Sequence, residues 1–310
     1  MILLLFICLL MFVFLFFSIP VIEASCICYI AMVIFYFILG KMGVASSASI
    51  IISFLLTLLL LISLKKLQSD KITKENLDKK KFNINFNIKE LNYILAFAFL
   101  YTCFYILNLS WGDFISIGER LRDYSILASV IHSPIDVKEP WFSGLTLNYY
   151  AFWYRAGALV SYVFNYEVFE TYHILSTLNT TFFVMLVFVI LNKYLSFSFF
   201  RSVLLTFLVF PGSNINGIKF FFSADTNWWG PSRVIKGAIT EFPAWSFVLG
   251  DIHPHFLNLL FFPLIVLLLL SFTFSKQDLR QDLEQDSNQN KINNILLFIS
   301  FFIYSNSFLI

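Results

Sequence analysis

The chain has 310 residues, a net charge of +2, 59% apolar residues and 40 phenylalanines. A mean hydropathy of +0.79 excludes an ordinary soluble domain, which is only about 45–50% apolar. Nucleic-acid and dinucleotide roles find no support either, since no glycine-rich phosphate loop follows a strand pattern.

Apolar runs, long enough as a group to cross about 30 Å of hydrocarbon, recur near 2–19, 25–40, 48–64, 92–110, 174–191, 199–211, 256–274 and 293–310. A further aromatic segment, 148–166, carries Arg155. The Leu/Ile/Phe runs are continuous and do not alternate, as the strands of a β-barrel would. The expected fold class is all-α: a polytopic transmembrane helical bundle.

The first run lacks a basic start and a second apolar run follows at once, so a retained membrane helix is expected rather than a cleaved signal. Ala24-Ser25-Cys26 resembles a lipoprotein cleavage site only faintly, because Glu23 stands where an apolar residue is wanted. Cys8, Cys26, Cys28 and Cys103 fall in apolar runs, where cysteine acts as a small hydrophobe. The Cys26-Ile-Cys28 spacing fits neither a redox nor a zinc motif.

Charge distribution orients the chain. Lys65, Lys66, Lys71, Lys74, Lys79, Lys80, Lys81 and Lys89 stand against only Asp70, Glu75, Asp78 and Glu90. The positive-inside rule places this segment in the cytoplasm. The expected organisation is therefore N-terminal helices over 1–64, a basic cytoplasmic loop over 65–91, and a membrane domain over 92–310. The helix 92–110 then runs outward and delivers 111–147 to the extracytoplasmic side.

Two long polar segments, 111–147 and 212–255, hold most of the remaining chemistry. If 119–130 is helical, Glu119 and Asp123 are four apart and share a face, with Arg120 and Arg122 to the sides. Two such carboxylates could bind a divalent cation, or one could act as a base. Local Arg–carboxylate pairing is the plainer alternative. In the second segment Trp228, Trp229 and Trp245 read as interface anchors, and Arg233 and Lys236 offer positive charge suited to a lipid phosphate.

The stretch Glu241–His255 ends in Asp251-Ile252-His253-Pro254-His255. Proline biases the residue before it toward an extended backbone. In an extended segment Asp251, His253 and His255 would share a face. One carboxylate and two imidazoles there could hold a metal ion or a phosphate, so Asp123, Asp251, His253 and His255 are the candidate metal ligands.

These residues carry a resemblance. Gly118-Glu119…Asp123-Tyr124, Glu139-Pro140-Trp141-Phe142-Ser143-Gly144…Asn148-Tyr149-Tyr150 and Thr240-Glu241-Phe242-Pro243…Phe247…Gly250-Asp251-Ile252-His253-Pro254-His255 resemble the YYY-type membrane proteins, an uncharacterised bacterial and archaeal family, over roughly 92–310. That family is in turn similar to GT-C glycosyltransferases, which take a sugar from a polyprenyl-phosphate carrier. The chain departs from the family pattern at Glu139, where Asp is usual, and keeps part of the tyrosine run as Tyr149-Tyr150-Ala151-Phe152.

The resemblance implies a GT-C-like bundle with two long extracytoplasmic loops in a prokaryotic cytoplasmic membrane. It implies Glu119 and Asp123 as catalytic acids. Arg233, Glu241, Asp251, His253, His255, Tyr149 and Tyr150 would bind phosphate or substrate, with a divalent metal ion as the possible cofactor. Expected partners are membrane lipids and a polyprenyl-phosphate-linked sugar donor, with no nucleic acid. The chain ends inside an apolar run, at Tyr304–Ile310, where relatives continue through further spans, so a bundle incomplete at its C-terminus is expected.

Two alternatives stay open: a transporter or lipid-binding protein whose Asp251, His253 and His255 relay protons or bind an ion, and a non-catalytic fragment of a longer enzyme. Topology adds a condition. If 148–166, 174–191 and 199–211 all cross, the two polar segments lie on opposite sides. A shared site then requires 148–166 or 199–211 to be re-entrant or interfacial.

Overall fold

The computed structural model describes residues 21–44, 46–71, 88–110, 119–142, 144–209, 215–223, 230–238, 244, 246–247 and 250–278. The runs expected at 2–19 and 293–310, residues 111–118, Trp228, Trp229, Glu241 and Trp245 lie outside these.

Among the described residues the protein is all-α, and β pairing is confined to one isolated antiparallel bridge between Lys138 and Thr146. The helices are α1 (Val21–Lys41), α2 (Ser46–Lys71), α3 (Ile88–Ser110), α4 (Arg120–His132), α5 (Phe152–Phe164), α6 (Val168–Val189), α7 (Phe199–Val209), α8 (Ile215–Phe221), α9 (Pro254–Leu257) and α10 (Phe261–Asp278). A π-helical turn, Ile190–Tyr194, continues α6. Among the described residues three stretches are long and apolar enough to cross a membrane: Ile22–Lys41, Leu91–Ser110 and Val168–Tyr194.

Several boundaries differ from the sequence expectation. The helix expected over 48–64 runs on to Lys71, because Lys and Gln are good helix formers and prolong an apolar helix past its last leucine. The segment 148–166 forms a helix only from Phe152 to Phe164. It ends where Asn165 adopts the left-handed conformation at φ 57°. The run 256–274 is broken into α9, a 3-10 turn at Asn258–Leu260, and α10.

The described residues form two compact units. The first comprises the chain up to Leu178 together with Ile252–Leu257. In it α1 packs along α2, α3 and α5, α4 packs against α5, and α9 touches α5. Its centre is Leu127, Trp153, Tyr154, Ala156, Ala158, Tyr172 and Leu175, all essentially without exposure. Gly157 lets α4, α5 and α6 close on one another, since a Cβ there would sit 2.5 Å from Leu127 Cδ1 and 3.3 Å from Leu175 Cδ2.

Arg155 lies inside this unit, where its Nη1 donates to the Pro134 carbonyl and its guanidinium lies 6.0 Å from the centre of the Phe37 ring. The carbonyl and the aromatic face hold the buried cation in part, while its Nε is buried without a hydrogen-bond partner. The second unit comprises Asn179–Asp251 and the described residues from Asn258. There α7 and α10 each pack on the π-helical turn, and Phe183 meets Phe247 with ring centres 5.1 Å apart.

Candidate functional site

The site is built on α4. Its buried residues Arg120, Asp123, Leu127 and Val130 recur every three or four positions, the spacing of one helix face. Asp123 therefore points inward and is fully buried. Its Oδ1 accepts a 2.8 Å hydrogen bond from the Tyr154 hydroxyl of α5. It also accepts from Arg122, at 3.3 Å from Nε and 3.2 Å from Nη2. Arg122 Nη2 then donates to Glu119 Oε2 at 2.6 Å. One guanidinium bridges a buried carboxylate and an exposed one.

This answers the question the spacing posed. Glu119 and Asp123 are on one side of the helix start, but Arg122 stands between them where a divalent cation would have to sit. Among the described residues no three His, Cys, Asp or Glu side chains come together as metal ligands do. Burial alone would lower the Arg122 pKa, but the charge of Asp123 and the bond to Glu119 outweigh it and raise the pKa. Arg122 is therefore a fixed positive charge.

A second segment completes the cluster. The Tyr149 hydroxyl lies 3.2 Å from His253 Nε2 and donates to the Tyr150 hydroxyl at 2.8 Å. The Arg122 guanidinium lies 5.6 Å from the centre of the Tyr149 ring. His253 Nε2 is also 3.5 Å from Glu119 Oε2. Burial, followed by the nearby His255 and the charge of Arg122, pushes the His253 pKa down to about 4 against a smaller opposing pull from Glu119. The imidazole is thus neutral near pH 7, and its contact with Glu119 is not an ion pair. Burial, with the hydrogen bond to Tyr150, likewise raises the Tyr149 phenol, so it is a neutral donor.

The expected extended backbone through His255 is not what forms. Pro254 opens α9, and the His253 carbonyl accepts from Phe256 N at 3.0 Å and Leu257 N at 3.2 Å. Proline is suited to a first helical position, where its missing N–H costs nothing. The two imidazoles still meet, through their Nδ1 atoms. A hydrogen bond between two ring nitrogens needs one proton, so one ring donates and the other accepts.

Of the candidate residues, Glu119, Asp123, Tyr149, Tyr150, His253 and His255 all belong to the first unit and form this cluster. Arg233 and Asp251 belong to the second, where the Arg233 amide donates to the Gly230 carbonyl at 3.0 Å and Arg233 Nη1 donates to the Ser232 carbonyl at 2.8 Å. The plainer alternative, local Arg–carboxylate pairing, is what forms, with Arg122 bonded to both Glu119 and Asp123. Tyr154 escaped the sequence reading, since it sits in an aromatic run and gave no signal.

The polar cluster on a frame of long apolar helices is that of an α-helical membrane protein. A family model described as Uncharacterized membrane protein (DUF2298) matches residues 29–307, and the chain belongs to that family. No match is found among curated proteins or among solved structures.

Proposed function

We propose that the protein is a membrane glycosyltransferase that takes a sugar from a polyprenyl-phosphate carrier at the extracytoplasmic face, in keeping with its resemblance to the YYY-type and GT-C proteins. The observation that carries this reading is the convergence of Glu119, Arg122, Tyr149 and His253. It joins an exposed carboxylate, a fixed cation and neutral hydrogen-bond donors in one place.

In this reading an acceptor hydroxyl oxygen attacks the anomeric carbon. The bond from that carbon to the phosphate oxygen breaks and leaves its electron pair on the phosphate. The hydroxyl proton passes to the Glu119 carboxylate, the accessible base. Arg122 offsets the charge that grows on the phosphate, and Tyr149 and His253, bonded to each other and neutral, line the site without adding charge. Asp123 is too buried to meet substrate, so it holds Arg122 and Tyr154 in place. The phosphate contact within this cluster falls to Arg122. No step requires a metal.

The Tyr149–His253 contact also bears on topology. Two residues in contact lie on one side of a membrane, so the chain crosses an even number of times between them. If Val168–Tyr194, long and apolar enough to span, supplies one crossing, this reading takes an odd number more from the shorter helices, α5 at about 20 Å or α7 at about 16 Å at 1.5 Å per residue.

One observation favours a second reading as a transporter. The span Val168–Tyr194 buries Thr171, His173, Ser176 and Thr177, and an ionisable residue inside a span is a common mark of an ion pathway. Purified protein in detergent, given radiolabelled polyprenyl-phosphate sugars, separates the two. Transfer of label to a hydroxyl or to water is expected, with a loss of about 10²–10⁴-fold in Glu119→Gln, the usual share of a general base. No turnover of any donor, together with ion flux in proteoliposomes, would favour the transporter.

A further inference from the structure

We infer that the loop between α4 and α5 is a membrane-inserting hairpin, with Trp141, Phe142 and Leu145 seated at the boundary of headgroups and acyl chains. Backbone hydrogen bonds tie the described residues of the loop together. Glu139 N donates to the Leu145 carbonyl at 3.0 Å and Leu147 N to the Val137 carbonyl at 2.8 Å. Leu145 N donates to the Phe142 carbonyl at 3.3 Å, and Gly144 supplies the φ of +85° that this turn requires. Below the tip Val137 is buried, and the Ser129 hydroxyl of α4 donates to the Lys138 carbonyl.

Around this turn Trp141 is 55%, Phe142 64% and Leu145 59% exposed. Single exposed apolar residues are ordinary, but three within five positions make a patch that marks an interaction surface. The stem is charged, with Asp136 and Lys138 paired and exposed. An apolar aromatic tip on a charged stem has the polarity profile of the bilayer interface, where tryptophan and lysine anchor proteins.

Lipid is favoured as the occupant by the same unit of the structure. Leu91–Ser110 is a 20-residue apolar span of which only 6% is buried within the protein, so this unit presents a lipid-facing side. That helix ends shortly before the segment that opens α4. The hairpin belongs to the same compact unit as that span. It also leads directly into Tyr149 and Tyr150, so insertion would hold those tyrosines near headgroup depth. The inference does not depend on glycosyl transfer.

Nitroxide accessibility in lipid nanodiscs tests it without an activity readout. Cys8 and Cys103 are replaced by alanine, Cys26 and Cys28 being buried. Phe142→Cys, Leu145→Cys and Asp136→Cys are then labelled one at a time. At 142 and 145, collisions with oxygen should exceed those with a water-soluble nickel chelate several-fold, and the order should reverse at 136. Nickel accessibility at 142 and 145 equal to that at 136 would overturn the proposal, because the tip would be in water. Labels shielded from both reagents and dipolar-broadened between molecules would also overturn it, marking a contact between copies of the chain.

Discussion

The Tyr149 hydroxyl and His253 Nε2 lie 3.2 Å apart although 104 positions of chain separate them. Both side chains are neutral near pH 7, the phenol because burial and Tyr150 raise it, the imidazole because burial, His255 and Arg122 lower it. Each enters the contact uncharged, and passing a proton from one to the other would create a buried charge pair that both shifts oppose.

The His253 shift has a definite sign. Its folded-state pKa of about 4 lies below the ordinary value of 6.5. Between those values the unfolded chain takes up a proton that the folded chain refuses. Stability conferred by neutral His253 is therefore complete above about pH 6.5 and declines as the pH falls toward 4. The full effect is at most about 3 kcal/mol, at 1.36 kcal/mol per pKa unit. Thermal melts of wild type and His253→Gln between pH 4 and 7 should converge as the pH falls. Histidine NMR should show the pKa rising toward 6.5 in Arg122→Gln and falling further in Glu119→Gln.

Asp123 should matter to folding as well as to activity. Asp123→Ala leaves the Tyr154 hydroxyl without its acceptor and Arg122 with Glu119 alone. Removing one partner of a buried pair costs about 3–5 kcal/mol, here nearer 3 because the Arg122 side chain is 33% exposed. Tyr154→Phe should cost about 1.5–3 kcal/mol, as for one hydrogen bond to a charged group. Glu119→Gln, at an exposed position, should leave the melting temperature nearly unchanged. Differential scanning fluorimetry in detergent distinguishes these outcomes.

Gly157→Ala should destabilise by about 1–3 kcal/mol, the usual penalty for overpacking. The added methyl meets Leu127 and Leu175 together. Combining it with Leu127→Ala should recover part of the loss, and a melt series would read that recovery directly.

Much of the fold was legible in the sequence because apolar runs of span length have few other uses. The long described helices fall where those runs predicted, with departures where Lys65–Lys71 prolong α2, Asn165 stops α5 and Asn258–Leu260 interrupts the run 256–274, while α4 and α8 form inside the two polar segments. The site was legible in part. Helical spacing put Glu119 and Asp123 on one side, and the buried rhythm of Arg120, Asp123, Leu127 and Val130 could have shown that Asp123 faces inward.

What spacing could not show was the meeting of Tyr149 with His253, since nothing local in either segment encodes a contact across 104 positions. The proline rule misled at His255. It constrains the residue before proline, and Pro254 itself is well suited to begin a helix.

The central claim is that the 119–150 and 252–257 segments build one site, and cross-linking tests it most directly. Tyr149→Cys and His253→Cys are combined with alanine at Cys8 and Cys103, and the protein is treated in detergent with a short bifunctional thiol reagent. The account predicts that mass spectrometry recovers one peptide pair joined through positions 149 and 253. Single-ended adducts at both positions, with no joined pair, would contradict it.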